Sequence, residues 1–214
     1  MAVCGRFAPT PSGRIHLGNI LCAMLSWLSV RSKNGRYLLR IEDLDAMRCP
    51  RSLADLIEDD LKWFGIDWDD GGSAGGDAWY QSCRTAIYDR YFDVLKDKGL
   101  LYPCFCSRAE LHTAQAPHRS DGTYIYAGTC RNLTPEQIAE KSKRRPPAWR
   151  VRVPEREMSF MDGCQGVYTE NLAHDCGDFI IRRSDGVYGY QLAVVVDDGL
   201  MGVTEVVRGS DLLN

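Results

Sequence analysis

Gly5-Arg6-Phe7-Ala8-Pro9-Thr10-Pro11-Ser12-Gly13-Arg14-Ile15-His16-Leu17-Gly18-Asn19 decides how the rest of the chain is read. It begins as the end of a short apolar strand, Val3 to Phe7, and passes through a loop holding two prolines, Thr10, Ser12 and Gly13. It then turns helical. From Ile20 to Ser32 the apolar positions Ile20, Met24, Trp27, Leu28 and Val30 recur at roughly helical spacing, and no proline interrupts them. Such a junction leaves the first turn's N–H groups without intrahelical partners and points the positive end of the helix dipole outward, so an anion is its natural occupant. His16 can donate to a phosphate oxygen, and Gly18 lets a nucleotide approach the backbone closely. An isolated His-x-Gly is also an ordinary helix cap, so the flanks must decide.

Downstream, Gly35 punctuates and Arg36 to Ile41 reads as a buried strand, followed by Glu42-Asp43-Leu44-Asp45. Strand, helix, strand makes the two strands parallel and brings Arg6 and Glu42 to the same carboxyl edge. Asp43 and Asp45 read equally well as a solvated turn or as part of a site. A helix from Pro50 or Arg51 to Phe64 carries Leu53, Leu56, Ile57, Leu61 and Phe64 on one face, and Gly65 ends it. Asp67 to Asp77 reads as a loop. Tyr80-Gln81-Ser82 opens an amphipathic helix running to Lys98-Gly99, with Ser82 as its N-cap and Ile87, Tyr91, Phe92 and Leu95 inward. Ile180 to Tyr188 is a hairpin turning at Ser184-Asp185-Gly186. Tyr190 to Asp198 is β by propensity because of its valines, and stays open at this stage. Val203 to Val207 reads as a strand with Arg208 at its carboxyl end.

The 214 residues are 44% hydrophobic and 26% charged, enough for a substantial core and too ordered in composition for a disordered chain. With 26 basic and 29 acidic side chains the net charge is -3, so nothing pulls the whole molecule toward nucleic acid and any RNA contact needs a local patch. Lys141, Lys143, Arg144, Arg145, Arg150, Arg152 and Arg156 form the best one. The first four crowd the last turns of a helix announced by Thr134-Pro135-Glu136-Gln137, with Thr at the cap and Gln at the third position, and the last three follow on an extended segment; basic residues at a helix C-terminus are favoured by the dipole in any case. No long apolar run suggests a membrane span and no basic, apolar leader opens the chain, which points to a cytoplasmic protein.

Nine cysteines, an odd number, are expected to be reduced in that compartment. Cys104, Cys106 and Cys130 are close-set in a way that suits a tetrahedral zinc ion. Spacing leaves the fourth ligand open. His112 and His118 are the usual chemistry, and reduced thiols without metal are the alternative.

With RFAPTPSG before it and RIED after it, the HLGN tetrapeptide resembles the HIGH signature of class I aminoacyl-tRNA synthetases, and more narrowly their glutamyl branch. The resemblance runs through essentially the whole chain. It implies an α/β fold: a class I Rossmann-type parallel sheet over 1–101 and 187–214, with an inserted α+β zinc-bearing domain over 102–186. It implies that the segment from Tyr190 re-enters the nucleotide fold and can be helical. ATP, with magnesium, would contact Pro9, Ser12, His16, Gly18 and Asn19, with His16 in the catalytic role. L-glutamate would be held by Arg6, Phe7, Ala8, Pro9, Thr10, Glu42, Tyr190 and Arg208: two guanidinium forks for two carboxylates, one carboxylate for the ammonium, one hydroxyl.

Within that branch, the glutamyl-queuosine synthetases carry two cysteines and then a tyrosine four positions before a third cysteine. This resemblance implies Tyr126 as the fourth ligand of one structural zinc, beside Cys104, Cys106 and Cys130. The implied reaction is activation of L-glutamate to its adenylate and transfer to the queuosine base of tRNA(Asp), by a monomer with no membrane partner. The alternatives are the catalytic part of a glutamyl-tRNA synthetase and a non-catalytic, zinc-stapled tRNA-binding module. The sequence stops at Leu212-Leu213-Asn214 with no KMSKS-like lysine loop, which in this family follows later and stabilises the pyrophosphate side. Weak or absent activation by this polypeptide alone is therefore expected.

Overall fold

The computed structural model describes residues 2–107, 110 and 125–213. The chain divides into two compact units, one running up to Tyr91 and resuming at Tyr190–Leu213, the other spanning Phe92–Gly189.

The first unit is built on a parallel sheet of β1 (Cys4–Phe7), β2 (Arg36–Leu39) and β3 (Asp70–Gly71), in that order. The strand pairs run Cys4 with Arg36 to Phe7 with Leu39, and Leu38 with Asp70. Helix α1 (Leu17–Ser32) makes the crossover from β1 to β2, as the apolar spacing requires. It lies close against the sheet because Gly5 has no side chain: a Cβ there would come 2.4 Å from Val30 Cγ2. The buried face of α1 is Ile20, Ala23, Ser26 and Val30, whereas Met24 and Leu28, two of the apolar positions at helical spacing, are 40% and 50% exposed. Ser26 is tolerated inside because its hydroxyl bonds the Ala23 carbonyl at 2.9 Å and Tyr37 Oη at 2.5 Å.

Helix α2 (Arg51–Trp63) buries Ala54, Ile57 and Leu61 against the sheet. Gly65 ends it at φ 74°, and Ile66 N–H returns to the Leu61 carbonyl at 2.9 Å. Phe64 is past the last turn and half-exposed, not part of the apolar face. The Asp67 to Asp77 stretch is more ordered than a loop reading allows. Asp69 accepts from Tyr37 N–H and from Arg31, Asp67 accepts from Trp27 and Arg31, and these anchors deliver β3 to the sheet.

Helix α3 (Thr85–Asp97) carries the boundary between the units. Its buried aromatics are Tyr88 and Phe92, while Tyr91 is exposed. Ser82 does not cap it. The Ser82 N–H and hydroxyl donate to Asp43 at 3.0 and 2.6 Å, which settles Asp43 as a buried structural carboxylate.

In the second unit, β4 (Leu101–Cys104), β5 (Ala148–Val151) and β8 (Ile180–Arg182) form an antiparallel sheet, and β6 (Glu157–Asp162) pairs with β7 (Gly166–Asn171) as a hairpin. Helix α4 (Pro135–Ser142) starts with the expected capping box between Thr134 and Gln137, and α5 (Leu172–Asp175) is a single turn.

Two C-terminal elements settle what the sequence left open or misread. Tyr190–Leu200 is helical (α6), burying Leu192, Ala193, Val194, Val196 and Asp197. Val203 to Val207 is not a strand: the backbone touches β1 at one parallel bridge, Gly5 with Glu205. The ladder stops there because both the Thr204 and Glu205 N–H groups converge on the Cys4 carbonyl while Thr204 Oγ1 accepts from Cys4 N–H. A side chain thus takes the place of a second backbone rung.

Candidate active site

In the first unit, a cavity of about 590 Å³ opens where the carboxyl ends of β1 and β2 meet the first turn of α1. Every residue that the sequence assigns to nucleotide or amino acid lines it, including Arg6, His16, Glu42, Tyr190 and Arg208. Cys22, Ile57, Val194, Val207 and Leu212 line it too and carried no signal in a single sequence.

His16 is the N-cap of α1, extended at φ -86° and ψ 164°, and no side chain caps the first turn. The turn's donors and dipole therefore remain available to an anion. A Cβ on Gly18 would meet the His16 ring at 3.3 Å, so this glycine leaves room for the imidazole above the first turn. The loop before it is pinned from α2, where Asp60 accepts from Ile15 N–H at 3.0 Å and pairs with Arg14.

The charged residues are not free ions. Arg6, 7% exposed, donates through Nε and Nη2 to Asp198 at 3.3 and 3.4 Å. Glu42 Oε1 receives Arg40 Nη2 at 3.1 Å, and Arg208 donates to Tyr190 Oη at 2.7 Å. Burial pushes the Glu42 carboxyl up, Arg40 and then Arg6 pull it back, and the balance leaves it above the usual glutamate range. Beneath the site lies Asp197, fully buried, accepting from Arg84 Nε at 2.8 Å, Gln81 Nε2 at 3.0 Å and Tyr88 Oη at 2.7 Å. Arg40, Tyr88, Asp197 and Asp198 were not given a role on the sequence. Arg40, Asp197 and Asp198 are charges beside apolar runs, which cannot be told from snorkelling surface residues without the fold.

In the second unit the Sγ atoms of Cys104, Cys106 and Cys130 lie within 4.8 Å of one another, with Cys106 and Cys130 at 3.6 Å. Tyr126 Oη is 3.5 Å from Cys104 Sγ and 3.6 Å from Cys106 Sγ, and accepts from Cys130 N–H at 2.8 Å. Four tetrahedral ligands on zinc–thiolate bonds of about 2.3 Å stand roughly 3.8 Å apart, so the three thiols and the phenol fit the ion in number, chemistry and separation. Burial opposes the Cys104 thiolate, yet Tyr126 and Arg150 bring that thiol below its usual range, whereas burial pushes Cys106 up to about 12. His112 and His118 lie outside the described residues. Arg150 belongs to this cluster and not to an RNA-facing patch: it is buried, stacks 3.7 Å from the Tyr126 ring and donates to Cys104 and to the Asp178 carbonyl.

Residues 2–214 match the family described as tRNA synthetases class I (E and Q), catalytic domain. The chain is 50% identical over 214 residues to the glutamyl-Q tRNA(Asp) synthetase of Nitratidesulfovibrio vulgaris, covering 98% of this chain and 66% of that protein. It is 49% identical to the protein of the same name from Symbiobacterium thermophilum, covering 99% of this chain and 67% of that one. It thus spans about two thirds of the length of these relatives. Among solved structures, a glutamate tRNA ligase from Elizabethkingia meningosepticum in complex with its amino acid superposes with a TM-score of 0.84 at 29% identity, over 100% of this chain and 45% of that one.

Proposed function

The chain belongs to the family of class I tRNA synthetases for E and Q, whose catalytic domain it matches over residues 2–214, and on that premise we propose that it activates L-glutamate with ATP and passes the glutamyl group to the queuosine base of tRNA(Asp). The observation that carries the first half is convergence: Arg6, Glu42, Tyr190 and Arg208, up to 202 residues apart, share one cavity with the amino end of α1. A dicarboxylic amino acid needs that set, two guanidinium groups for its carboxylates and one anion for its ammonium. The α-carboxylate attacks the α-phosphorus in line and pyrophosphate leaves. Such a transfer needs positioning and charge stabilisation and no side-chain nucleophile. His16 and the first-turn N–H groups of α1 would take the phosphates, magnesium entering with the nucleotide.

The second half, the queuosine acceptor, follows the names of the relatives at 49–50% identity. Exchange of labelled pyrophosphate into ATP, weak as it is expected to be in this polypeptide alone, should require L-glutamate and no tRNA. Labelled glutamate should reach tRNA(Asp) only when queuosine is present. Charging of tRNA(Glu) without queuosine would instead establish a glutamyl-tRNA synthetase. We place the protein in the cytoplasm as a monomer; among the described residues no helix is long and apolar enough to cross a membrane.

Cys104, Cys106, Tyr126 and Cys130 would hold one structural zinc in an inserted domain, the ion tying two stretches of chain together and releasing thiol protons as it binds. Metal analysis of purified protein should find about one zinc per chain. The variant Cys130→Ser should lose it and melt earlier. Full retention of stability with no zinc in either protein would leave three reduced thiols as the correct description.

A further inference from the structure

Arg40 is fully buried and does not line the cavity, yet it joins both sides of it. Its Nη2 reaches Glu42 Oε1 at 3.1 Å, and its Nη1 reaches Asp198 Oδ1, 158 residues away, at 2.6 Å. Asp198 in turn holds Arg6 through Nε and Nη2. The chain of contacts is therefore Glu42, Arg40, Asp198, Arg6, with the first and last lining the cavity. Among the described residues Glu42 Oε2 and Arg6 Nη1 make no hydrogen bond. On this chain of contacts, these are the two atoms left to receive a zwitterion.

We propose that Arg40 is the positioning residue of the amino-acid subsite: one guanidinium fixes the carboxylate that receives the ammonium and, through Asp198, the guanidinium that receives a carboxylate. The assignment rests on the reading that the cavity takes L-glutamate. A buried arginine holding two carboxylates in divergent directions has a geometric task that lysine cannot duplicate, since an ammonium is a compact point charge on a flexible stem. Arg40 also keeps Glu42 charged. The groups facing Glu42 are Arg40 beside it on the same segment, Arg6 from β1 and Asp198 from α6; burial and Asp198 raise its pKa, and the two arginines lower it. Asp197 stands 3.9 Å from Arg40 Nε, an atom with no hydrogen-bond partner.

The test is calorimetric titration of L-glutamate into wild type, Arg40→Gln, Arg40→Lys and Asp198→Asn across pH. Arg40→Gln should weaken binding about tenfold or more near neutrality. It should also move the acid limb of the affinity profile upward by about a pH unit, because Glu42 loses its nearest cation. Asp198→Asn should weaken binding without that upward shift, since it removes an anion. Arg40→Lys should keep the limb near its wild-type position and still bind several-fold more weakly. A purely structural role would lower the melting temperature and leave the limb where it was. Wild-type binding with an unmoved limb and unchanged affinity in Arg40→Gln overturns the proposal; should that variant not fold, equal affinity in Arg40→Lys and wild type overturns it. Failure of wild type to bind L-glutamate overturns the reading of the cavity itself, and the assignment of Arg40 with it.

Discussion

Replacing Asp197 by alanine is expected to cost about 3–5 kcal/mol of folding stability, the range for breaking a buried ion pair from one side. Asp197 has no exposed surface and sits among Arg84, Gln81, Tyr88 and Arg40. Removing the carboxylate leaves the Arg84 guanidinium, 9% exposed, facing a hole, and takes from the Tyr88 hydroxyl and the Gln81 amide the acceptor oxygen they share. Burial, and then Asp197, hold Tyr88 well above the ordinary phenol range, and its hydroxyl is a proton donor to this carboxylate. Asp197→Asn keeps the shape and an acceptor oxygen and should cost less than alanine, the difference reporting the charge. Urea unfolding, with the midpoint and slope both recorded, measures each cost. A loss below about 1 kcal/mol for alanine would mean that water or a rearranged arginine replaces the carboxylate, and the network is ornamental to stability.

That network shows where sequence stops being informative. Arg6, His16 and Glu42 could be placed at one edge because each sits at the end of an apolar strand or the start of a helix, where local pattern fixes direction; their roles came from the family resemblance. Asp197 and Asp198 follow Val194-Val195-Val196, a run whose β-branched side chains favour a strand, and only packing makes it helical. Once it is helical, Val195 points outward at 72% exposed and Asp197 inward at zero, a reversal that alternation along a strand would have placed otherwise. Arg40 was hidden differently. It lies inside a buried strand reading, yet its partner is 158 residues away, and no local spacing encodes that distance. Val203 to Val207 was read as a full strand and is only a single bridge to β1, because Thr204 replaces a ladder bond by its side chain. Tyr88 was passed over for Tyr91, three residues on, because a helix with aromatics on adjacent faces does not say which face is covered.

Glu42→Gln should lower L-glutamate affinity by about 30-fold or more, equivalent to roughly 2 kcal/mol, while leaving the fold intact. Glutamine preserves volume and an acceptor but not the charge that meets the ammonium. The loss should be selective: 2-oxoglutarate, which has both carboxylates and no ammonium, should bind wild type and variant alike. Equal losses for both ligands would mean that Glu42 shapes the cavity without touching the ammonium. The pH dependence separates the roles further. Glu42 has its folded pKa raised, chiefly by burial, so in wild type the ionised form is lost on acidification at a pH above that of an ordinary glutamate, and L-glutamate affinity falls with it. The variant should show no such limb. Stability runs the opposite way. An acid with a higher pKa folded than unfolded binds more protons in the native state between those two values, so stability declines as pH rises through that window and stays lower above it. Glu42→Gln removes that cost, and the variant is expected to be at least as stable as wild type near neutrality while binding far more weakly, a pairing that neither unfolding nor general loosening can produce.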